Sequence, residues 1–84
     1  MPTVNRFRQA EEDILAIAQY IAKENPSAAR RWIDGVERTF NLLASQPFMG
    51  ESVEHIRLGL RRFCEGKYLI FYEAQVDGIG VVRV

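Results

Sequence analysis

The sequence predicts an α+β domain: an N-terminal strand, an αα-hairpin and then a three-stranded antiparallel meander, with the helices packed on one face of the sheet. Two observations predict it. Residues 9–24 and 26–45 repeat their apolar positions at three- and four-residue steps, and three short β-rich runs behind them are separated by acidic-glycine dipeptides.

Residues 3–7 carry Thr3, Val4 and Phe7 and read as a short strand. Over residues 9–24, Ile14, Ile17, Ala18 and Ile21 fall on one helix face, and Glu11, Glu12 and Asp13 sit where the helix dipole favours negative charge. Asn25-Pro26 separates the helices, because the residue before proline leaves the α region while proline suits the first helical position; Asn25 is the expected N-cap. The second helix spans residues 26–45, with Ala29, Trp32, Val36, Phe40 and Leu43 on its apolar stripe, and Trp32 reads as core. Gln46-Pro47-Phe48-Met49-Gly50 ends it. Residues 51–59 are too polar for a core strand and read as a loop. Residues 60–64, 68–73 and 79–84 are the meander, with hairpin turns at Glu65-Gly66 and Asp77-Gly78.

The chain of 84 residues forms a single domain over residues 1–84. A domain this short buries only about 60–65% of its unfolded surface, so a permanent partner would help it. Its hydrophobic fraction of 48% and charged fraction of 26% exclude disorder. Cys64 is the only cysteine, which excludes an intrachain disulfide and favours a reducing cytosol. The N-terminus has no apolar core of signal-peptide length, and nowhere do about 18 apolar residues run together. A cytoplasmic protein with no membrane association is expected. Eleven basic and eleven acidic residues cancel, so the molecule lacks the positive field that non-specific phosphate binders use.

If both turns have two-residue loops, counting from them sets the register, with Arg61 opposite Ile70 and Tyr72 opposite Arg83. One side then collects Leu60, Leu69, Phe71, Val82 and Val84, with Arg62, Cys64 and Glu73 at its margins; this side is expected beneath the helices. The other collects Arg61, Phe63, Tyr68, Ile70, Tyr72, Ile79, Val81 and Arg83, and no element remains to cover it fully. Arginine and tyrosine beside apolar surface predict a partner-binding face, with Arg61, Phe63, Tyr68, Ile70, Tyr72, Val81 and Arg83 as its residues. A register off by one would exchange the two faces.

Several motifs together resemble the ParE branch of the ParE/RelE toxin superfamily. They are Ala10-Glu11-Glu12-Asp13-Ile14 leading to Ile17-Ala18-Gln19-Tyr20-Ile21, then Asn25-Pro26-Ser27-Ala28-Ala29, then Leu42-Leu43-Ala44-Ser45-Gln46-Pro47-Phe48-Met49-Gly50. Gly59-Leu60-Arg61, Tyr68-Leu69-Ile70-Phe71-Tyr72 and Val82-Arg83-Val84 complete the set. The resemblance implies a RelE/ParE-like fold and a toxin co-encoded with a ParD-like antitoxin whose C-terminal segment wraps it, giving a hetero-oligomer. It also implies DNA gyrase as the target, blocked so that cleaved DNA accumulates, whereas RelE-type members cut messenger RNA on the ribosome. In the family, the stretch matching Val82-Arg83-Val84 continues through a Leu-His-Gly-like segment into a basic tail, and this sequence stops. A toxin core that only binds antitoxin is therefore a third reading.

A metal-independent ribonuclease needs a base, an acid and cations around the phosphate. Arg61, Arg83, Tyr68 and Tyr72 could supply part of that, but the net charge is zero and His55, the only histidine, falls in the loop. Ser27, Ser45 and Ser52 lack a Gly-x-Ser-x-Gly elbow, Cys64 lacks a placed histidine, and neither a phosphate-binding glycine loop nor HExxH occurs. Glu11, Glu12 and Asp13 point around their helix and do not converge. The sequence thus reads as a binding protein with no cofactor and no metal, rather than an enzyme.

Overall fold

A computed structural model describes residues 2–84; Met1 lies outside the described residues. The elements follow in the order β1 (Thr3–Arg6), α1 (Arg8–Ala22), α2 (Pro26–Ser45), β2 (Glu51–Ser52), β3 (Leu60–Glu65), β4 (Tyr68–Gln75) and β5 (Gly78–Arg83). They form an α+β domain with one five-stranded sheet in the order β1-β5-β4-β3-β2. The strands β3, β4 and β5 are the foreseen antiparallel meander. At one edge β1 adds to β5 in parallel, and at the other the stretch read as loop supplies the two-residue strand β2 against β3.

The helical hairpin forms where the apolar period placed it. Asn25 caps α2, its side-chain oxygen accepting the Ala28 amide at 3.1 Å, with Pro26 in the first turn. The stripe of α2 is buried at Ala29, Val36, Phe40 and Leu43, while Trp32 is partly buried against the core, as its place on the stripe implied. By contrast α1 buries fully only Ala10.

Both hairpin turns sit one residue from their expected places. Glu65 pairs with Tyr68 and Gln75 with Gly78, so the loops are Gly66-Lys67 and Val76-Asp77. Gly66 takes a φ of +60°, a left-handed conformation in which glycine is unstrained. Moving a turn by one residue moves each cross-strand partner by two, which preserves the faces: Arg61 stands opposite Tyr72 and Phe63 opposite Ile70. The exception is Arg83. A bulge between Phe71 and Tyr72 shifts the register, so Arg83 stands opposite Phe71 and not Tyr72.

Up to the bulge the sharing of faces is as counted, but the helices cover the other one. Ile70, Tyr72, Ile79 and Val81 are fully buried and join Ala10, Val36, Phe40, Leu43 and Ala44 in the core. Leu69, expected in that core, is 38% exposed, and Phe71 and Val82 are only half-buried. The reason is chemical. The side with Arg62 and Glu73 interspersed cannot be buried without desolvating their charges, whereas β-branched Ile79 and Val81 on interior strand β5 can be buried at no such cost, and Tyr72 finds hydrogen-bond partners inside.

Candidate functional site

The seven residues expected to form one partner-binding face are divided by the fold. Ile70, Tyr72 and Val81 lie beneath the helices and offer no surface. Phe63 is partly buried against the core. Tyr68 is half-buried and meets Trp32 edge to face, ring centroids 5.4 Å apart. Only the two arginines keep accessible charge, and they serve different elements.

Arg83 is held by α1. Its Nε donates to Asp13 at 2.6 Å and its Nη2 at 3.1 Å, and the Val84 amide donates to the same carboxylate at 3.1 Å. These bonds, that from the Arg83 side chain above all, hold the Asp13 carboxyl below its usual 3.8, opposed by partial burial. Asp13 reads in the sequence as a dipole residue; in the fold it fastens α1 to the end of β5. A carboxyl with a lowered folded-state pKa contributes stability that is present above its unfolded pKa and lost as pH falls through the folded value. Asp13→Asn should therefore lower the urea midpoint at pH 7, and the difference from the parent should shrink as pH falls below the ordinary carboxyl value of 3.8 and through the lower folded one. A gap that stays equal as pH falls would separate Asp13 from the acid limb.

Arg61 is tied to the turn between α2 and β2. Its Nη1 donates to the carbonyls of Gly50 at 2.6 Å and Phe48 at 3.3 Å, and its guanidinium lies 4.9 Å from the centroid of the Phe48 ring. The same turn is gripped from below by Tyr72, whose hydroxyl donates to the Pro47 carbonyl at 2.9 Å and accepts from the Gly50 amide at 2.8 Å. A Cβ on Gly50 would overlap that hydroxyl and lie 2.8 Å from the Arg62 carbonyl, so only glycine lets the chain pass so close. Burial pushes the Tyr72 phenol above its usual 10.0, a shift that the Gly50 amide and Arg61 oppose. A phenol that keeps its proton and points at a carbonyl is built to hold backbone, not to act as a base.

In the sequence, Pro47-Phe48-Met49-Gly50 reads only as a helix stop. Yet Phe48 is 72% exposed and Met49 39% exposed. The available signal was two large apolar residues placed between turn formers, where polar ones are usual.

Two grooves also open on the helices. One, of about 500 Å³, lies between the mouth of the hairpin and the β3–β4 turn, lined by Tyr20, Ile21, Glu24, Trp32, Lys67 and Tyr68 among others. The buried indole Nε1 of Trp32 has no hydrogen-bond partner among the described residues. The second, of about 360 Å³, runs along Ile14, Leu15, Ala18 and Ile33, with Glu11 and Glu12 at its rim.

The family model for the ParE toxin of type II toxin-antitoxin systems, parDE, matches residues 7–84. No curated protein matches the chain. Nine chains of solved structures match it. One, described as "Chromosomal ParDE TA system from P. aeruginosa", is 16% identical with a TM-score of 0.79, covering 99% of this chain and 92% of that one. At that identity the likeness is one of fold, and it extends over the whole sheet and both helices.

Proposed function

Because the chain belongs to the ParE toxin family of type II toxin-antitoxin systems, we propose that it is a cytoplasmic, non-enzymatic toxin that binds and inhibits DNA gyrase and is neutralised by a ParD-like antitoxin. The observation that carries the reading is the family match over residues 7–84, which takes in both helices and strands β2 to β5 of the sheet. The fates of the arginines and tyrosines support binding over catalysis. Tyr72 is sequestered under the helices, Arg83 is clasped by Asp13 and Tyr68 packs on Trp32, so the groups a ribonuclease would bring to one phosphate are spent on holding the fold. No described helix is long and apolar enough to cross a membrane.

A neutralising segment that orders as it binds needs concave surface to lie in. The grooves along Ile14, Leu15 and Ile33 and at the hairpin mouth offer it. Arg61 and Arg83 remain partner contacts in this proposal, while Ile70, Tyr72 and Val81 shape the surface from beneath.

The test is to add purified chain to gyrase with plasmid DNA and, in parallel, to programmed ribosomes. Inhibition of supercoiling that titrates with gyrase, with accumulation of cleaved DNA, is the expected result. Cut messenger RNA on the ribosomes would assign RelE-like chemistry instead. Inertness in both, with antitoxin still bound, would leave a core that only sequesters antitoxin.

A further inference from the structure

We infer that the Pro47–Gly50 turn is a preformed knob by which the chain docks into an apolar, carboxylate-rimmed pocket on a folded target protein, an inference that rests on the proposed function. Four hydrogen bonds from side chains elsewhere in the fold fix this turn, two from Arg61 and two at the Tyr72 hydroxyl, and none of them serves to bury its side chains. Their product is the reverse: a rigid backbone that holds Phe48 72% exposed with Met49 beside it. Leaving an aromatic of this size in water forgoes the burial that a small domain most needs. Fixing its backbone in advance removes the ordering cost that binding would otherwise carry, and aromatic side chains presented this way dominate interface energetics.

The charge beside the ring specifies the rest of the pocket. Arg57 and Arg62, near Arg61 in sequence, are each paired with a carboxylate, Glu73 and Glu51. Arg61 has none among the described residues; its hydrogen bonds run to carbonyls, and its positive charge lies against the exposed Phe48 ring. A protein surface that takes the ring into an apolar recess and sets a carboxylate at its edge would neutralise that charge. The shape selects the class of partner. A projecting side chain needs a recess that already exists, which a folded protein provides and a segment that orders on binding does not. An exposed aromatic beside arginine can also stack nucleobases, but a chain of zero net charge lacks the field that draws in single strands.

Phe48→Asp and, separately, Met49→Asp test this in the full chain. Both side chains are exposed, so melting temperature should move by less than about 4 °C. The concentration of Phe48→Asp giving half-maximal inhibition of gyrase supercoiling should rise by about thirtyfold or more, the loss expected of a hot-spot residue. Growth arrest on expression in bacteria should be relieved in parallel. Should the parent chain arrest growth without inhibiting gyrase, the target assignment fails, and relief of arrest by Phe48→Asp still supports the knob. A Phe48→Asp chain that arrests growth as the parent does overturns it, as does a parent chain without effect on growth. Binding of a fluorescent single-stranded oligonucleotide that Phe48→Asp abolishes would give the turn to nucleic acid and equally overturn it.

Discussion

Tyr72→Ala is expected to remove about 3–5 kcal/mol of folding stability, the range for deleting a large buried aromatic side chain. An 84-residue domain has a total margin of about 4–13 kcal/mol, so the loss takes a large share of it and, at the low end of that range, all of it. The ring is fully buried among Phe40, Leu43 and Ile70, and the hydroxyl holds both Pro47 and Gly50. Tyr72→Phe isolates the second contribution. It leaves a buried amide and a carbonyl unpaired and should cost roughly 1–3 kcal/mol. With its folded-state pKa raised, the phenol contributes stability that is present below about pH 10 and lost as pH rises through the folded value, so Tyr72→Phe should also blunt alkaline unfolding. Urea denaturation followed by circular dichroism at pH 7 and pH 11 measures both. A Tyr72→Ala protein that melts like the parent but loses its partner would return this residue to the interface.

Gly78→Ala is expected to cost at least about 2 kcal/mol through overpacking and to release β1 from the sheet. Gly78 pairs with Thr3 across the parallel β1–β5 contact, and a Cβ there would overlap the Thr3 carbonyl oxygen and lie 2.7 Å from its nitrogen. No flexible side chain can move aside, since the obstacle is backbone. Hydrogen exchange should show the β1 amides and the Phe7 amide, which donates to Val81 at 3.0 Å, losing protection while α2 keeps it. Unchanged protection in β1 would show that the backbone accommodates the methyl group and that the close approach is not what excludes a side chain.

The helical hairpin was legible because its information is local: an apolar period, the Asn25-Pro26 boundary and a stop at Pro47 each act within one turn of chain. The meander was legible for the same reason, with its glycines marking reversals to within one residue. The parallel partner of β1 lies some seventy-five residues along the chain, and the two-residue strand β2 is too short to carry an alternating pattern, so no local pattern encodes either. The covered face was misjudged because both sides of the sheet are apolar in part. Counting arginine and tyrosine as surface residues favoured the wrong one, when Tyr72 satisfies its hydroxyl inside and Arg61 reaches sideways to the Gly50 carbonyl. The bulge at Phe71/Tyr72 removed Arg83 from the expected cluster, because one extra residue reverses the direction of every side chain beyond it. Of the candidate site, Arg61 and Arg83 survive as accessible groups, joined by Phe48 and Met49, whose exposure is decided by tertiary bonds to residues more than ten positions away.

The position of β5 also bears on how the protein comes into being during translation. Lying between β1 and β4, it is the strand that joins the first-made part of the sheet to the rest, yet it is synthesised after all the others. Until it is in place, β1 has no strand to pair with and Phe40 has no Ile79 or Val81 to rest against. Joining β1 to β5 closes a loop of some seventy-five residues, the slow kind of step that high contact order imposes.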